Sequence, residues 1–292
     1  MVIATRRPRV CSPGRRRSAG AAVVGLLGIS LIAAGVAGSA LASGSLCIRT
    51  DPGNENPGPG CGPYRYKPIS DSNGENTYVL NDMWNPAGPG HRQTIRVHTP
   101  GKWSVISDQP RGNTAVLSYP DVQQILTTTQ DTPAPLARFA AISSTFRQSM
   151  PSVGDNEAAY DIWMGNSAAT DYAQEVMIWV DDHRTNPPPG RIVARPEFGH
   201  ARYAVWQDPT DGSTGFHTIY IVRHGNESSG TVNVLAMLHW LVSRHLTAAT
   251  GLNQIDFGWE ICSTDGHRQT FTMSAYRLGL RCHSGGTACY SS

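Results

Sequence analysis

Two short runs, Glu175-Val-Met-Ile-Trp-Val180 and Ile255-Asp-Phe-Gly-Trp-Glu-Ile261, each hold a glutamate among aliphatic and aromatic residues. Both are rich in the Val, Ile, Phe and Trp that favour β-strands. Burying an unpaired carboxylate is costly, so a glutamate in such a strand must reach water at an edge or line a cleft. Two carboxyl groups facing one cleft are the minimum for cleaving a glycosidic bond: one attacks or activates water, the other handles the leaving-group proton.

Strand alternation sorts the neighbours. Glu175, Met177 and Trp179 share one face of the first run, and Val176, Ile178 and Val180 the other. Asp256, Gly258, Glu260 and Cys262 share a face of the second, opposite Ile255, Phe257, Trp259 and Ile261. In both runs the aliphatic set lies opposite the glutamate, as expected of a sheet with one packed face and one face lining a cleft. Gly258, beside Glu260, is expected to leave room for a ligand. Ala158-Ala-Tyr-Asp-Ile-Trp163 likewise groups Asp161 with Trp163 and sets both apart from Tyr160 and Ile162. Trp84, Trp163, Trp179 and Trp206 are candidates for stacking on sugar rings, although a single tryptophan more often belongs to a core.

The elements that must position these groups are predominantly strands. From Tyr78 onward, alternating runs are punctuated by Gly, Pro, Asn and Asp. Strands are predicted over 78–84, 93–98, 103–107, 115–119, 137–146, 158–164, 175–180, 191–194, 203–206, 217–222, 255–261 and 269–280. This density indicates an all-β sandwich or jelly roll, expected to consist of two antiparallel sheets. One segment departs from it: Val232, Leu235, Ala236, Leu238, His239, Leu241, Val242 and Leu246 follow helical spacing. A helix is therefore predicted over 232–246, capped by Thr231 and closed before Gly251.

Composition removes other function classes. Residues 1–42 read as a signal peptide, with Arg6, Arg7, Arg9 and Arg15 to Arg17 before an apolar run from Ala21 to Ala37 and an Ala40-Leu41-Ala42 cleavage pattern. The run is too short and too rich in Ala and Gly for a membrane anchor, so no stable membrane association is expected after cleavage. Thr5-Arg6-Arg7 weakly suggests the twin-arginine route. The whole chain carries 24 Lys+Arg against 22 Asp+Glu, and all six leader charges are arginines. The mature part is therefore slightly acidic, which gives no basis for a nucleic-acid partner and suits a neutral polymer. Residues 43–70 form a Pro/Gly-rich extension, and 71–292 the catalytic domain, expected to act as a monomer outside the cell. Loop lengths suggest disulfides Cys47–Cys61 and Cys282–Cys289, leaving Cys262 reduced, although an odd cysteine count keeps other pairings open. The histidines and cysteines match no metal spacing, and neither a metal nor a cofactor is expected.

The motifs together resemble glycoside hydrolase family 12, the β-jelly-roll endoglucanases. Glu175-Val-Met-Ile-Trp179 resembles that family's nucleophile strand and Gly258-Trp-Glu260 its acid/base strand. Leu80-Asn-Asp-Met-Trp84, Ser118-Tyr-Pro120, Ala159-Tyr-Asp-Ile-Trp163, Pro187-Pro-Pro-Gly190 and the helix before Glu260 fall in the family's order. The similarity spans about residues 75 to 280. It implies a concave cleft and retaining hydrolysis of internal β-1,4-glucan bonds. Glu175 would be the nucleophile, Glu260 the general acid/base and Asp161 a hydrogen-bond partner of Glu175. Asn81, Trp84, Trp163, Met177 and Trp179 would line the sugar subsites. Two departures concern substrate: Asn81-Asp82 replaces the family's paired asparagines, and Gly88-Pro-Gly-His91 replaces a region where a cysteine is common. The alternatives are a xyloglucan-specific hydrolase on the same fold and a non-catalytic carbohydrate-binding jelly roll. No GxSxG pattern supports a serine nucleophile.

Overall fold

The alternating runs fold into two sheets. The structure is a computed structural model that describes residues 47–48, 77–83, 92–127, 132–166, 174–185, 187–207 and 217–283. The leader, most of the Pro/Gly-rich extension, Trp84, Cys61 and Cys289 lie outside the described residues. In chain order the strands are β1 (Cys47–Ile48), β2 (Thr77–Leu80), β3 (Arg92–Thr99), β4 (Lys102–Asp108), β5 (Asp121–Ile125) and β6 (Ala134–Pro135). They continue as β7 (Phe139–Ser149), β8 (Asp155–Gly165), β9 (Gln174–His183), β10 (Arg191–Ala194) and β11 (Glu197–Phe198). The last five are β12 (Ala201–Gln207), β13 (His217–Arg223), β14 (Ser229–Val232), β15 (Gly251–Ser263) and β16 (Gln269–Cys282). One helix, α1 (Val234–Ser243), lies between β14 and β15.

Six strands form one sheet in the order β1-β3-β4-β16-β7-β14. The other has ten, in the order β10-β12-β13-β9-β8-β15-β5-β2, with β11 and β6 attached at β12 and β15. The sheets meet through the aliphatic faces read from the sequence. Ile162, Val176, Ile178, Ile255, Phe257 and Ile261 pack in one core with Val97, Val105, Ile142, Phe146 and Phe271 of the six-stranded sheet. Trp259 packs edge-on against Trp103 with centroids 4.8 Å apart, and its Nε1 donates to Gln148 Oε1 at 3.1 Å. A hydrogen-bonded indole N–H permits full burial of this large ring.

Several local expectations are corrected. The pairing is not antiparallel throughout, because β13 runs parallel to β9. Between them the chain passes through β10, β11 and β12, and the β12–β13 pair then returns it in the direction of β9. No strand spans 115–119; Ser118 contributes only a bridge to Ile261, and the strand begins later, as β5. The helix is shorter than its periodicity, because Thr231 and Val232 are β-branched and pair with β7 as part of β14. Its cap is Asn233, whose side chain accepts from the Ala236 N–H at 3.1 Å, rather than Thr231. Gly251 does not follow the helix but opens β15. Cys262, expected to be reduced, is disulfide-bonded, as is Cys282.

Candidate active site

The face of the ten-stranded sheet turned away from the core carries its own set of residues. Strands β13, β9, β8, β15 and β5 are consecutive neighbours there, so their registers fix which side chains meet. Glu175 on β9 lies opposite Trp163 on β8, and Trp163 lies opposite Gln254 on β15. One pair along, Met177 is opposite Asp161, and Asp161 is opposite Asp256. A further pair along, Trp179, Ala159 and Gly258 are in line with Asp121 of β5. On the other flank, Thr218 and Tyr220 of β13 lie opposite Glu175 and Met177.

Glu175 is fully buried, and Thr218 Oγ1 donates to its Oε2 at 2.8 Å. Sequence reasoning missed Thr218. Its signal was a hydroxyl on the alternate face of the otherwise apolar Ile219-Tyr-Ile-Val222 run, which becomes legible only once β13 is known to adjoin β9. Asp161 and Asp256 are also fully buried and directly opposed. Like charges facing across a sheet repel, and burial limits screening by water, so their environment bears on how each carboxyl ionises. Gln254 Nε2 donates to Asp256 Oδ2 at 2.7 Å and fixes that carboxyl.

The apolar floor beside these acids is a separate cluster of Ala159, Met177, Trp179, Tyr220 and Val222, with Trp206 packed against it. Trp179 and Tyr220 meet edge-on with centroids 5.8 Å apart. The Trp179 Nε1–H is buried and has no acceptor among the described residues. Buried donors are normally satisfied, so an orphaned indole N–H on this face calls for an explanation. A ligand hydroxyl would supply the acceptor.

Glu260 and Glu175 are not direct cross-strand partners. Glu260 is opposite Glu157, which is opposite Asp182. Along β8, Glu157 is six residues from Trp163, the partner of Glu175. That interval corresponds to roughly 20 Å of strand. Glu260 instead hydrogen-bonds Glu157. Burial, followed by the neighbouring Glu260 carboxyl, pushes Glu157 well above the usual carboxylate range. Sequence reading missed Glu157, because its partner depends on register.

Two further expectations change. Gly258 leaves no room for a ligand, because a Cβ there would lie 2.1 Å from the Pro120 carbonyl oxygen. The space is taken by the backbone leading into β5. Asn81 is committed to Gln93 of the other sheet, whose Nε2 donates to the Asn81 backbone oxygen at 2.6 Å and to Oδ1 at 3.0 Å. This amide bracket continues from Gln93 to Ser107 and Ser118, so Asn81 serves the junction of the layers.

Comparison with known proteins places this geometry among carbohydrate-active folds. No protein-family model matches the chain. It is 24% identical over 204 residues to endoglucanase S of Pectobacterium parmentieri, covering 65% of this chain and 77% of that protein. Among solved structures it resembles the xyloglucanase domain of NopAA from Sinorhizobium fredii, solved in complex with cellobiose. Identity there is 26% and the TM-score 0.60, over 74% of this chain and 97% of that one. The family 12 xyloglucanase of Bacillus licheniformis is 19% identical with a TM-score of 0.64, over 80% of this chain and 100% of that one. Endoglucanase cel12A of Rhodothermus marinus is 19% identical with a TM-score of 0.59, over 73% and 96% respectively. The chain has the glycoside hydrolase family 12 fold.

Proposed function

We propose that this chain, built on the family 12 fold, hydrolyses internal β-1,4 bonds of a glucan with retention of configuration. The observation that carries this reading is Glu175: a buried carboxylate anchored by Thr218, one pair along from Asp161, beside a floor of Met177, Trp179 and Tyr220. In this scheme Glu175 attacks the anomeric carbon, the aglycone leaves as its oxygen is protonated, and water then displaces the glutamate from the covalent intermediate. Thr218 holds one Glu175 oxygen, which limits the rotamers available and aims the other. Asp161 supports the nucleophile. Trp163 and Trp179 contact sugar, and the orphaned Trp179 N–H donates to a hydroxyl. The motif that holds Trp84 supports a sugar-contacting role for it as well.

The scheme calls for no cofactor or metal. The leader pattern supports export, cleavage after Ala42 and action as an extracellular monomer. A second substrate has specific support, since two of the resembling structures are xyloglucanases. Xyloglucan has the same β-1,4 backbone with branches, so the same catalytic set would act on it.

Purified mature chain incubated with carboxymethylcellulose, barley β-glucan and xyloglucan is expected to release reducing ends from at least one polymer. Glu175→Gln should cut that rate by at least about a thousandfold, the scale seen when a nucleophile is removed. Binding of all three polymers with no release of reducing ends would establish a carbohydrate-binding jelly roll instead.

A further inference from the structure

We propose that the outer face of the six-stranded sheet binds an acidic polysaccharide, one whose sugars carry carboxylates, on the side of the molecule opposite the candidate active site. The proposal stands apart from the hydrolase reading, because it rests on different residues.

Alternation along β3, β4, β7 and β16 turns Val97, Val105, Phe146 and Phe271 into the core and their neighbours outward. The outward set is basic. Arg92 and Arg96 of β3, Lys102 of β4, Arg147 of β7, and Arg277 and Arg281 of β16 are all exposed. Among the described residues the strands of this sheet hold a single acid, Asp108, opposite Arg92 at the end of β4. The chain beyond the leader is slightly acidic, so this concentration of base is local and does not follow from composition.

The arrangement costs the isolated chain some stability. Arg147 lies opposite Ala275 and Arg277 opposite Thr145, so the two guanidinium groups are diagonal neighbours on one face. Like charges placed side by side on a sheet repel. The ion pairs among the described residues draw on Arg184 and Arg223, and on none of the six face cations. A bound polyanion would supply the missing counter-charge.

The residues between the cations select the kind of polyanion. Arg96 stands in a row with Ser104, Thr272 and Ser149. Arg277 stands in a row with Thr145 and Thr231. A guanidinium grips a carboxylate with two parallel N–H bonds, and flanking hydroxyls suit the hydroxyls of a sugar. Single-stranded nucleic acid would call for aromatic platforms, and the described residues of this face include no Phe, Tyr or Trp. A broad sheet face does not fit the groove of a duplex. Insertion into a lipid surface calls for projecting apolar groups, and the largest one here, Ile106, is half-buried. A polymer of uronic acid fits the face best. The two sheets are back to back, so its binding leaves the opposite face free.

Biolayer interferometry on immobilised polygalacturonate tests the proposal with the mature chain. Binding is expected at low salt and should weaken at least about tenfold in about 0.5 M NaCl, where exposed charges are screened. Fully methyl-esterified polygalacturonate, which has lost its charge, should not bind. Combined Arg96→Gln, Arg147→Gln and Arg277→Gln should weaken binding about tenfold, the joint scale of three exposed ion pairs, with Tm and glucanase activity unchanged. Combined Arg191→Gln, Arg195→Gln and Arg202→Gln changes net charge equally outside this face and should leave binding intact. No binding by the wild type at low salt, or equal loss in both triple variants, would overturn the proposal. Tighter capture by phosphatidylserine vesicles or duplex DNA than by polygalacturonate would overturn the choice of partner. None of these results bears on whether Glu175 is the nucleophile, which the polymer-hydrolysis assay tests by itself.

Discussion

Glu157 and Glu260 put two buried carboxyls opposite one another on neighbouring strands. Burial, reinforced by Glu260, raises Glu157 well above its ordinary value of 4.5. The unfolded chain therefore loses this proton at lower pH than the folded chain does. Between those two values the folded state binds more protons, so the stability tied to Glu157 is full below about pH 4.5 and is lost as pH rises through the folded value. Glu157→Gln, which cannot ionise, should remove that loss. Calorimetric unfolding is expected to show a larger gain in Tm relative to wild type at pH 8 than at pH 4. An equal change at both values would mean that Glu157 does not titrate with folding. At this scale the sequence was partly legible: alternation sorted Glu175, Asp161 and Asp256 onto faces correctly. It could not tell how far along the neighbouring strand each one sits, because alternation carries no register.

Strand register is set by close backbone approach and hydrogen bonding between elements. The β15–β5 pair shows how. Gly258 sits where the chain entering β5 presses closest, and any Cβ would meet the Pro120 carbonyl oxygen at 2.1 Å. Backbone cannot yield as a side-chain tip can, so Gly258→Ala should cost about 3 kcal/mol or more in chemical denaturation, the upper range for overpacking. A change within about 0.5 kcal/mol, the range of an ordinary surface substitution, would show that β5 does not dock there. At the helix, Asn233→Ala removes the side-chain acceptor for the Ala236 N–H and should cost about 1 kcal/mol. Most strands were legible because Val, Ile, Trp and Phe recur at every second position. β5 was not, because Asp121-Val-Gln-Gln-Ile125 looks polar, although Gln123 and Gln124 are buried in the sheet. Its neighbours hide what its composition advertises. The parallel β9–β13 pair was equally invisible, since alternation carries no information on direction.

The two layers divide labour across the whole molecule. The inner faces form one large apolar core, and the outer face of the ten-stranded sheet holds acids, an orphaned indole donor and a small aromatic floor. A core of this extent carries the cost of holding buried acids in place, which is how stable folds tolerate unfavourable sites. The sandwich itself was legible from the number of strands and from motifs strung in family order. Specificity was not, because loop residues and cross-strand partners choose among glucans, and the relatives include both endoglucanases and xyloglucanases. The central claim is that Glu175 forms a covalent bond to the sugar. Incubation with 2,4-dinitrophenyl 2-deoxy-2-fluoro-β-cellobioside, followed by peptide mass spectrometry, tests it most directly. The account predicts time-dependent inactivation with one fluorocellobiosyl group on Glu175. A label on any other carboxyl, or hydrolysis of polymer with no trapped intermediate, would contradict it.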